Sequence, residues 1–295
     1  MARARAAELL QQEGVRLVIG WSRGEQNSAE YARLTGARCA EDWRAVIDEQ
    51  EVQAVCIGTP TSTHVQYAVA AMEAGKHVLV ECPATVRLSE FDRMVETAER
   101  SGVVFYAGSN YRFDTWAQAL DYASQKLGRM LLAAGDSTWM PRSPWYRDRA
   151  LSGGVFPCVH LYQFTLFSAL GRALWVTAEL SREGDYGVAM VGYDGGATAL
   201  ATGGFERHGP NEFIVVGTEG MMRRQVDGSP AIVRGREAER IPTSPLRTTR
   251  EDNAVFVRCI RGEEDWRTRA QAEREVHAVA VGAQDSAERS ERIVL

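Results

Sequence analysis

The stretch VQAVCIGTPTSTHVQYAVAAMEAGKHVLVECPA, residues 52–84, decides how this chain folds. It opens on the apolar run QAVCIG (53–58) and breaks at Thr59-Pro60. It then continues as HVQYAVAAMEAG (64–75), with apolar residues at helical spacing. Gly75 stands where such a helix needs a left-handed C-terminal cap. A second apolar run, HVLV (77–80), follows at once and ends in Glu81-Cys82-Pro83. Strand, helix and strand within about 30 residues make a βαβ unit, whose two strands must be parallel.

The same rhythm extends to both sides. VRLVIG (15–20) and VVFYAG (103–108) supply further strands, and SAEYARLTG, AEDWRAVIDE and LSEFDRMVETAERSG read as helices. In the last of these Phe91, Met94, Val95 and Ala98 share one helical face. Gly36 and Gly102 close their helices as Gly75 does. After residue 128 the rhythm changes. RMLLAAGDSTWM, ALWVTAELSR, GVAMVGY, GATALATGGFE, NEFIVVGTEG and AIVRGRE follow one another with Gly, Asp and Pro turns, which predicts a mostly antiparallel sheet. Helical pattern returns at 153–170, in DNAVFVRCIRG and in RAQAEREVHAVAVGAQDSAE. The expected fold is a Rossmann-like α/β domain over 1–113 and an α+β domain with a large mostly antiparallel sheet over 114–295, with a cleft between them.

Composition narrows the function classes. The 295 residues are 45% hydrophobic and 25% charged, with net charge −5, as in ordinary globular proteins. Acidic and basic residues are mixed along the chain, so it lacks the basic stripe that nucleic acid demands. A small anionic ligand held by local arginines remains compatible. No apolar run approaches the roughly 18 residues of a membrane span. The opening MARARAAELLQQEG is too polar after its arginines for a secretory signal. Five cysteines (39, 56, 82, 158 and 259), odd in number and widely spaced, read as reduced thiols of a cytoplasmic protein. The histidines at 64, 77, 160, 208 and 277 show no ligand spacing, so no metal site is expected.

The 52–84 block resembles the D-A-V-x-I-x-T-P-x-x-x-H…A-G-K-H-V-L-x-E-K-P block of the Gfo/Idh/MocA oxidoreductases. GSNYRF (108–113) resembles the segment leading out of that family's nucleotide domain. FIVVGTEG (213–220) and AVAVGAQDSAERSERIVL (278–295) resemble parts of its second domain. The resemblance covers nearly the whole chain. It implies an NAD(P)-binding Rossmann-like domain and a second-domain sheet that serves as a homo-oligomer face. It also implies a small-molecule substrate of the sugar, polyol or secondary alcohol class. Carried over residue by residue, it implies cofactor contacts at Thr59, Pro60, His64, Glu81 and Asn110, and a substrate contact at Arg112. The loop WMPRSPWYRDR (139–149), with Arg142, Trp145 and Tyr146, suits a polar or anionic substrate; a partner-chain contact is the alternative.

Three departures qualify this expectation. Met1 falls inside what resembles the family's first helix, with neither strand nor glycine-rich turn before it. A central strand left out would strand two ladders of backbone groups, each unpaired group costing about 1–3 kcal/mol. A late-assigned start or truncation is therefore expected over genuine loss. Next, the second strand runs into Ser22-Arg23, where an NAD-preferring relative would carry a carboxylate. A hydroxyl and a cation suit a 2′-phosphate, so NADP is expected over NAD. Finally, Cys82 stands where the family has the lysine that steadies a developing alkoxide. In GGVFPCVHLYQF (153–164) His160 is kept, but Phe156 stands in the place of the aspartate. Cys82 and His160 are the expected catalytic pair. The leading function is an NADP-dependent oxidoreductase. The alternatives are a lyase, isomerase or cyclase using Cys82 and His160, and a catalytically silent binding subunit.

Overall fold

The computed structural model describes residues 2–141, 143–205, 212–245 and 247–295. In chain order its elements are α1 (Ala2–Leu9), β1 (Ile19–Gly20), α2 (Glu25–Thr35), β2 (Arg38–Cys39), α3 (Trp43–Asp48), β3 (Ala54–Ile57), α4 (His64–Glu73), β4 (His77–Val80), α5 (Leu88–Ser101) and β5 (Phe105–Ala107). There follow α6 (Thr115–Ser124), β6 (Met130–Trp139), α7 (Arg149–Ser152), a π-turn over Phe156–His160, α8 (Leu161–Phe167), β7 (Ala173–Leu180), β8 (Tyr186–Tyr193), β9 (Thr198–Phe205) and β10 (Glu212–Gly217). The chain closes with β11 (Gly220–Arg224), β12 (Pro230–Arg234), β13 (Glu237–Arg240), α9 (Thr248–Ile260), α10 (Trp266–Arg289) and β14 (Ile293–Val294).

These divide into two compact units: Met1–Thr85 with Ser89–Asn110 and Arg247–Ala272, and Val86–Leu88 with Tyr111–Leu246 and Glu273–Leu295. The first unit breaks at Thr85 for three residues, resumes at Ser89 and ends at Asn110. Near the other end of the chain, α9 returns to the first unit. Its physical reason is a set of buried hydrogen bonds that Asp252 and Asn253 accept from Arg5, Tyr106 and Ser109 of that unit.

In the first unit β3, β4 and β5 pair in parallel, with Val78 opposite both Val55 and Phe105. Val78, Leu79 and Val80 are fully buried, as a strand covered on both faces must be. α5 lays Phe91, Met94 and Ala98 into the same core, and the Phe91 ring meets Phe105 edge-on at 5.3 Å. The sheet comes in two pieces, however. β1 pairs only with β2, over two residues, and no described strand joins that pair to β3. The run expected at 15–20 is a strand only at Ile19–Gly20, because Arg38 and Ala40 donate to Val18 and Gly20 on one side alone. The Tyr31 ring lies so close over Gly20 that any side chain there would overlap it.

The second unit is built on one sheet of nine strands, ordered β13-β12-β11-β10-β6-β9-β8-β7-β14 among the described residues. Every pairing is antiparallel except β6 with β9. One face alternates Ala133, Gly135 and Ser137 with Ala199, Ala201 and Gly203, all buried. α8 covers this face, stacking Phe167 on Phe213 at 5.5 Å. The other face carries Leu132, Val188, Met190, Leu200 and Ile214, all exposed.

Candidate functional site

The parallel strands of the first unit end together, and the predicted contacts follow those ends. After β3 the turn Thr59–Thr63 winds into α4. The Thr59 and Thr63 hydroxyls share a hydrogen bond of 2.8 Å, and Thr63 Oγ1 donates to the Pro60 carbonyl at 2.7 Å. His64 is nearly inaccessible. Its Nε2 lies 2.8 Å from the Thr59 carbonyl and its Nδ1 3.2 Å from the Ala84 carbonyl. The ring therefore ties the β3 turn to the turn after β4, and burial keeps its pKa below the ordinary imidazole value. A neutral ring donates to one of these two carbonyls, and the placement of His64 ties the two turns together.

Glu81 is tied into the unit as well. Arg5 Nε donates to its Oε1 at 2.8 Å and Arg5 Nη2 to its Oε2 at 3.0 Å. Arg5 Nη1 also donates to Asp252 Oδ2 at 2.8 Å and to Asn253 Oδ1 at 2.7 Å. Asp252 Oδ1 in turn accepts from the Tyr106 hydroxyl at 2.8 Å and the Ser109 amide at 3.1 Å. All six residues are buried. Burial works against the Arg5 charge, but Glu81 and then Asp252 outweigh it and hold the guanidinium above its ordinary value. Burial likewise lifts Asp252 above the usual carboxylate range, against the pull of Arg5. Sequence reading missed Arg5. The available signal was an arginine at helical spacing from Ala6 and Leu9, on the face that packs inward.

Cys82 follows Glu81 directly and is half-buried. At the end of β1, Ser22 is half-buried and Arg23 exposed. Beside them Trp21 meets Tyr67 edge-on at 6.2 Å, and Tyr67 meets Trp43 at 5.0 Å. This aromatic group was also missed, since its three members come from separate elements. Asn110 closes the unit with a long contact of 3.5 Å to the Thr248 hydroxyl. Cys56, on the open side of β3, is solvent-accessible, yet desolvation pushes its thiol up to about 12.

In the second unit His160 is 0% exposed, with Phe156 at 4.9 Å and Phe164 at 6.1 Å between ring centres. Its Nε2 lies 3.1 Å from the Gly203 carbonyl and so carries the proton. Nδ1 is buried without a hydrogen-bond partner among the described residues. Burial lowers the pKa to about 4, against the raising effects of the Gly203 carbonyl, Gln163 and Asp136. A neutral imidazole enclosed in this way is not presented as a base for a half-buried thiol. The catalytic pair stands as an expectation, with Cys82 in the first unit and His160 in the second.

Arg112 is bound through Nε to Glu273, a buried carboxylate that follows the start of α10, and its Nη2 is buried without an acceptor among the described residues. Arg112 thus anchors two segments of the second unit before it meets any substrate. Asp114 caps α6 by accepting from the Ala117 amide at 2.8 Å. Trp145 and Tyr146, half-buried, stack at 3.7 Å in the loop after β6, and Arg142 lies outside the described residues. No described helix is long and apolar enough to cross a membrane.

Comparison with known proteins agrees with this architecture. Levoglucosan dehydrogenase of Pseudarthrobacter phenanthrenivorans is 33% identical over 148 residues, covering 47% of this chain and 38% of its own. Myo-inositol 2-dehydrogenase of Thermotoga maritima is 26% identical over 174 residues, covering 54% and 51%. The chain thus spans about half or less of these relatives' length. Among solved structures, GenD2 from gentamicin A biosynthesis, in complex with NAD, has a TM-score of 0.86 at 20% identity and covers 100% of this chain and 93% of its own, which shows a shared fold. Residues 1–109 match the oxidoreductase family with an NAD-binding Rossmann fold, and residues 118–223 match the GFO/IDH/MocA C-terminal domain. Matched in order by both of the family's domains, the chain belongs to the Gfo/Idh/MocA oxidoreductase family.

Proposed function

We propose that the chain is an NADP-dependent oxidoreductase acting on a sugar, polyol or related secondary alcohol or carbonyl. One observation carries the cofactor assignment: the turn after β1 presents an exposed Arg23 beside Ser22, with no carboxylate between Trp21 and Gly24. A guanidinium and a hydroxyl fit a 2′-phosphate, where a carboxylate would fit the free ribose diol. Thr59, Pro60 and Asn110 are the further contacts, while His64 and Glu81 act by fixing the turns that carry them. When bound, the nicotinamide supplies or accepts a hydride. Cys82 then offers a thiol, not an ammonium, to the substrate oxygen. Loss of one oriented donor at such a position costs about a hundred- to a thousandfold in rate. The names of the two dehydrogenase relatives, for levoglucosan and myo-inositol, support the substrate class.

The test is fluorescence titration with NADPH and NADH. NADPH binds more tightly, and Arg23→Ala erases the difference. Equal affinities in the unmodified protein would overturn the assignment.

The open sheet face supports a second copy of this chain as partner. Register places Ile214, Ala134, Leu200 and Met190 in one row across β10, β6, β9 and β8. Three of these four are large, exposed and apolar, more than a solitary surface usually gathers in one row.

A further inference from the structure

Register sets out the open face of the nine-strand sheet row by row. Met222 faces Val215, so Arg223, the next residue along, comes beside Ile214. From there the row runs through Ala134, Leu200 and Met190 to Thr177, across β11, β10, β6, β9, β8 and β7. Ile214, Leu200 and Met190 are large and exposed, and Ala134 among them is small. Glu179 stands on the same face of β7, two residues beyond Thr177 and opposite Val188. Arg223 and Glu179 are both exposed, and neither has an ion pair or hydrogen bond among the described residues.

Two such faces can be joined by a two-fold axis running across the strands or along them. An axis across the strands, on this row, sets each residue on its own copy. Arg223 then meets Arg223, Leu200 meets Leu200, and Ala134 opposite Ala134 leaves a gap. An axis along the strands, over the seam between β6 and β9, exchanges the two ends of the row. Leu200 then sits on the partner's Ala134, Met190 on the partner's Ile214, and Arg223 over the partner's Thr177 and Glu179. Bulk meets hollow and cation meets carboxylate. Asp136, which accepts from the Thr202 hydroxyl at 2.9 Å, faces the partner's Thr202 and not its own copy. Six strands about 4.8 Å apart and about 25 Å long offer roughly 700 Å² per copy, near the roughly 800 Å² of a standard interface.

We propose that two copies of this chain join their open sheet faces about a two-fold axis along the strands, between β6 and β9, with Arg223 paired to the partner's Glu179. This rests on the second-copy reading above and adds the symmetry and the charges that select it.

Sedimentation of the full chain over a concentration series provides the test. Arg223→Glu and Glu179→Arg each weaken the dimer about tenfold or more, because each change sets like charges together at two symmetric places. Mixing the two variants restores it, since every pair in the mixed dimer again joins opposite charges, and so does combining both changes in one chain. A short bismaleimide joins Met190→Cys to Ile214→Cys in a mixture of the two, read by mass spectrometry as linked peptides, and does not join Met190→Cys to its own copy at that position. A dimer indifferent to both charge changes, or a link between the two copies of position 190, refutes the axis and leaves the second-copy reading standing. A chain that stays monomeric at every concentration refutes both.

Discussion

Replacing Arg5 with methionine removes the cation on which the first unit is centred. Four hydrogen bonds of 2.7–3.0 Å vanish, and two buried carboxylates lose their counter-charge. Asp252 keeps Tyr106 and the Ser109 amide, while Glu81 loses both bonds that Arg5 gives it. Breaking a buried pair by removing one partner costs about 3–5 kcal/mol. With two carboxylates on one cation, the upper half of that range is expected, a large share of the roughly 5–15 kcal/mol that holds a domain together. The loss has a pH signature. Asp252 already sits above the usual carboxylate range, so the native state holds its proton more tightly than the unfolded chain. Its contribution is fully present below the unfolded pKa and is lost as pH rises through the folded one. Without Arg5 the folded pKa climbs further, so acidifying from pH 7 to pH 5 shrinks the variant's deficit. Urea unfolding of both proteins at the two pH values, with exchange of the Ser109 amide as a local probe, measures this. Arg5→Lys falls between, because one ammonium cannot serve both carboxylates. A deficit below about 1 kcal/mol, against the loss expected for a broken buried pair, or one unchanged at pH 5, refutes the reasoning.

For His160 the sign runs the other way: the folded pKa, about 4, lies below the unfolded value of 6.5. Its contribution is whole above the unfolded pKa and is lost as pH falls through that window, by roughly 3 kcal/mol at 1.36 kcal/mol per unit. His160→Gln should flatten that part of the stability–pH curve. Gly203→Ala should destabilise by about 3 kcal/mol or more, because its φ of 150° suits glycine and a Cβ would stand 1.9 Å from the Ser137 carbonyl; far-UV melting reads it. Cys82→Lys should raise the rate of NADPH-linked reduction or oxidation if the position acts on the substrate oxygen, and an unchanged rate would remove it from the site. Leu200→Glu should lower the mass measured by light scattering if the open sheet face joins two copies, and leave it unchanged otherwise.

The elements that sequence exposed best are those whose partners lie close along the chain. HVLV appears as the strand His77–Val80, and QAVCIG as Ala54–Ile57, because short continuous apolar runs and capping glycines are local signals. VRLVIG was overread for a non-local reason: its pairing depends on what runs beside it, and among the described residues only β2 does. The Cys82-for-lysine change was legible as a departure from a pattern. That His64 and Glu81 are spent inside the unit was not, since His64 meets Ala84 from the next βα turn and Glu81 meets Arg5 across a separation of 76 residues. Arg5 itself looked like one more charge on a short helix. Its role depends on Asp252, 247 positions away, and no periodicity carries that information.

That separation also sets a timetable. Until residues 252 and 253 have been made, Glu81 and Arg5 have each other but lack the acid and amide that complete their shell. β6 waits as well, for Leu132 must find Thr198 on one side while Val216 closes the other. Contacts this distant carry a loop-closure cost before they return anything, and chains dominated by them fold slowly. Neither unit can finish while the ribosome holds its last third. The apolar rows of a half-made sheet are then open to other chains, so the yield of folded protein should respond to chaperone supply and growth temperature more than to codon speed in the first hundred residues.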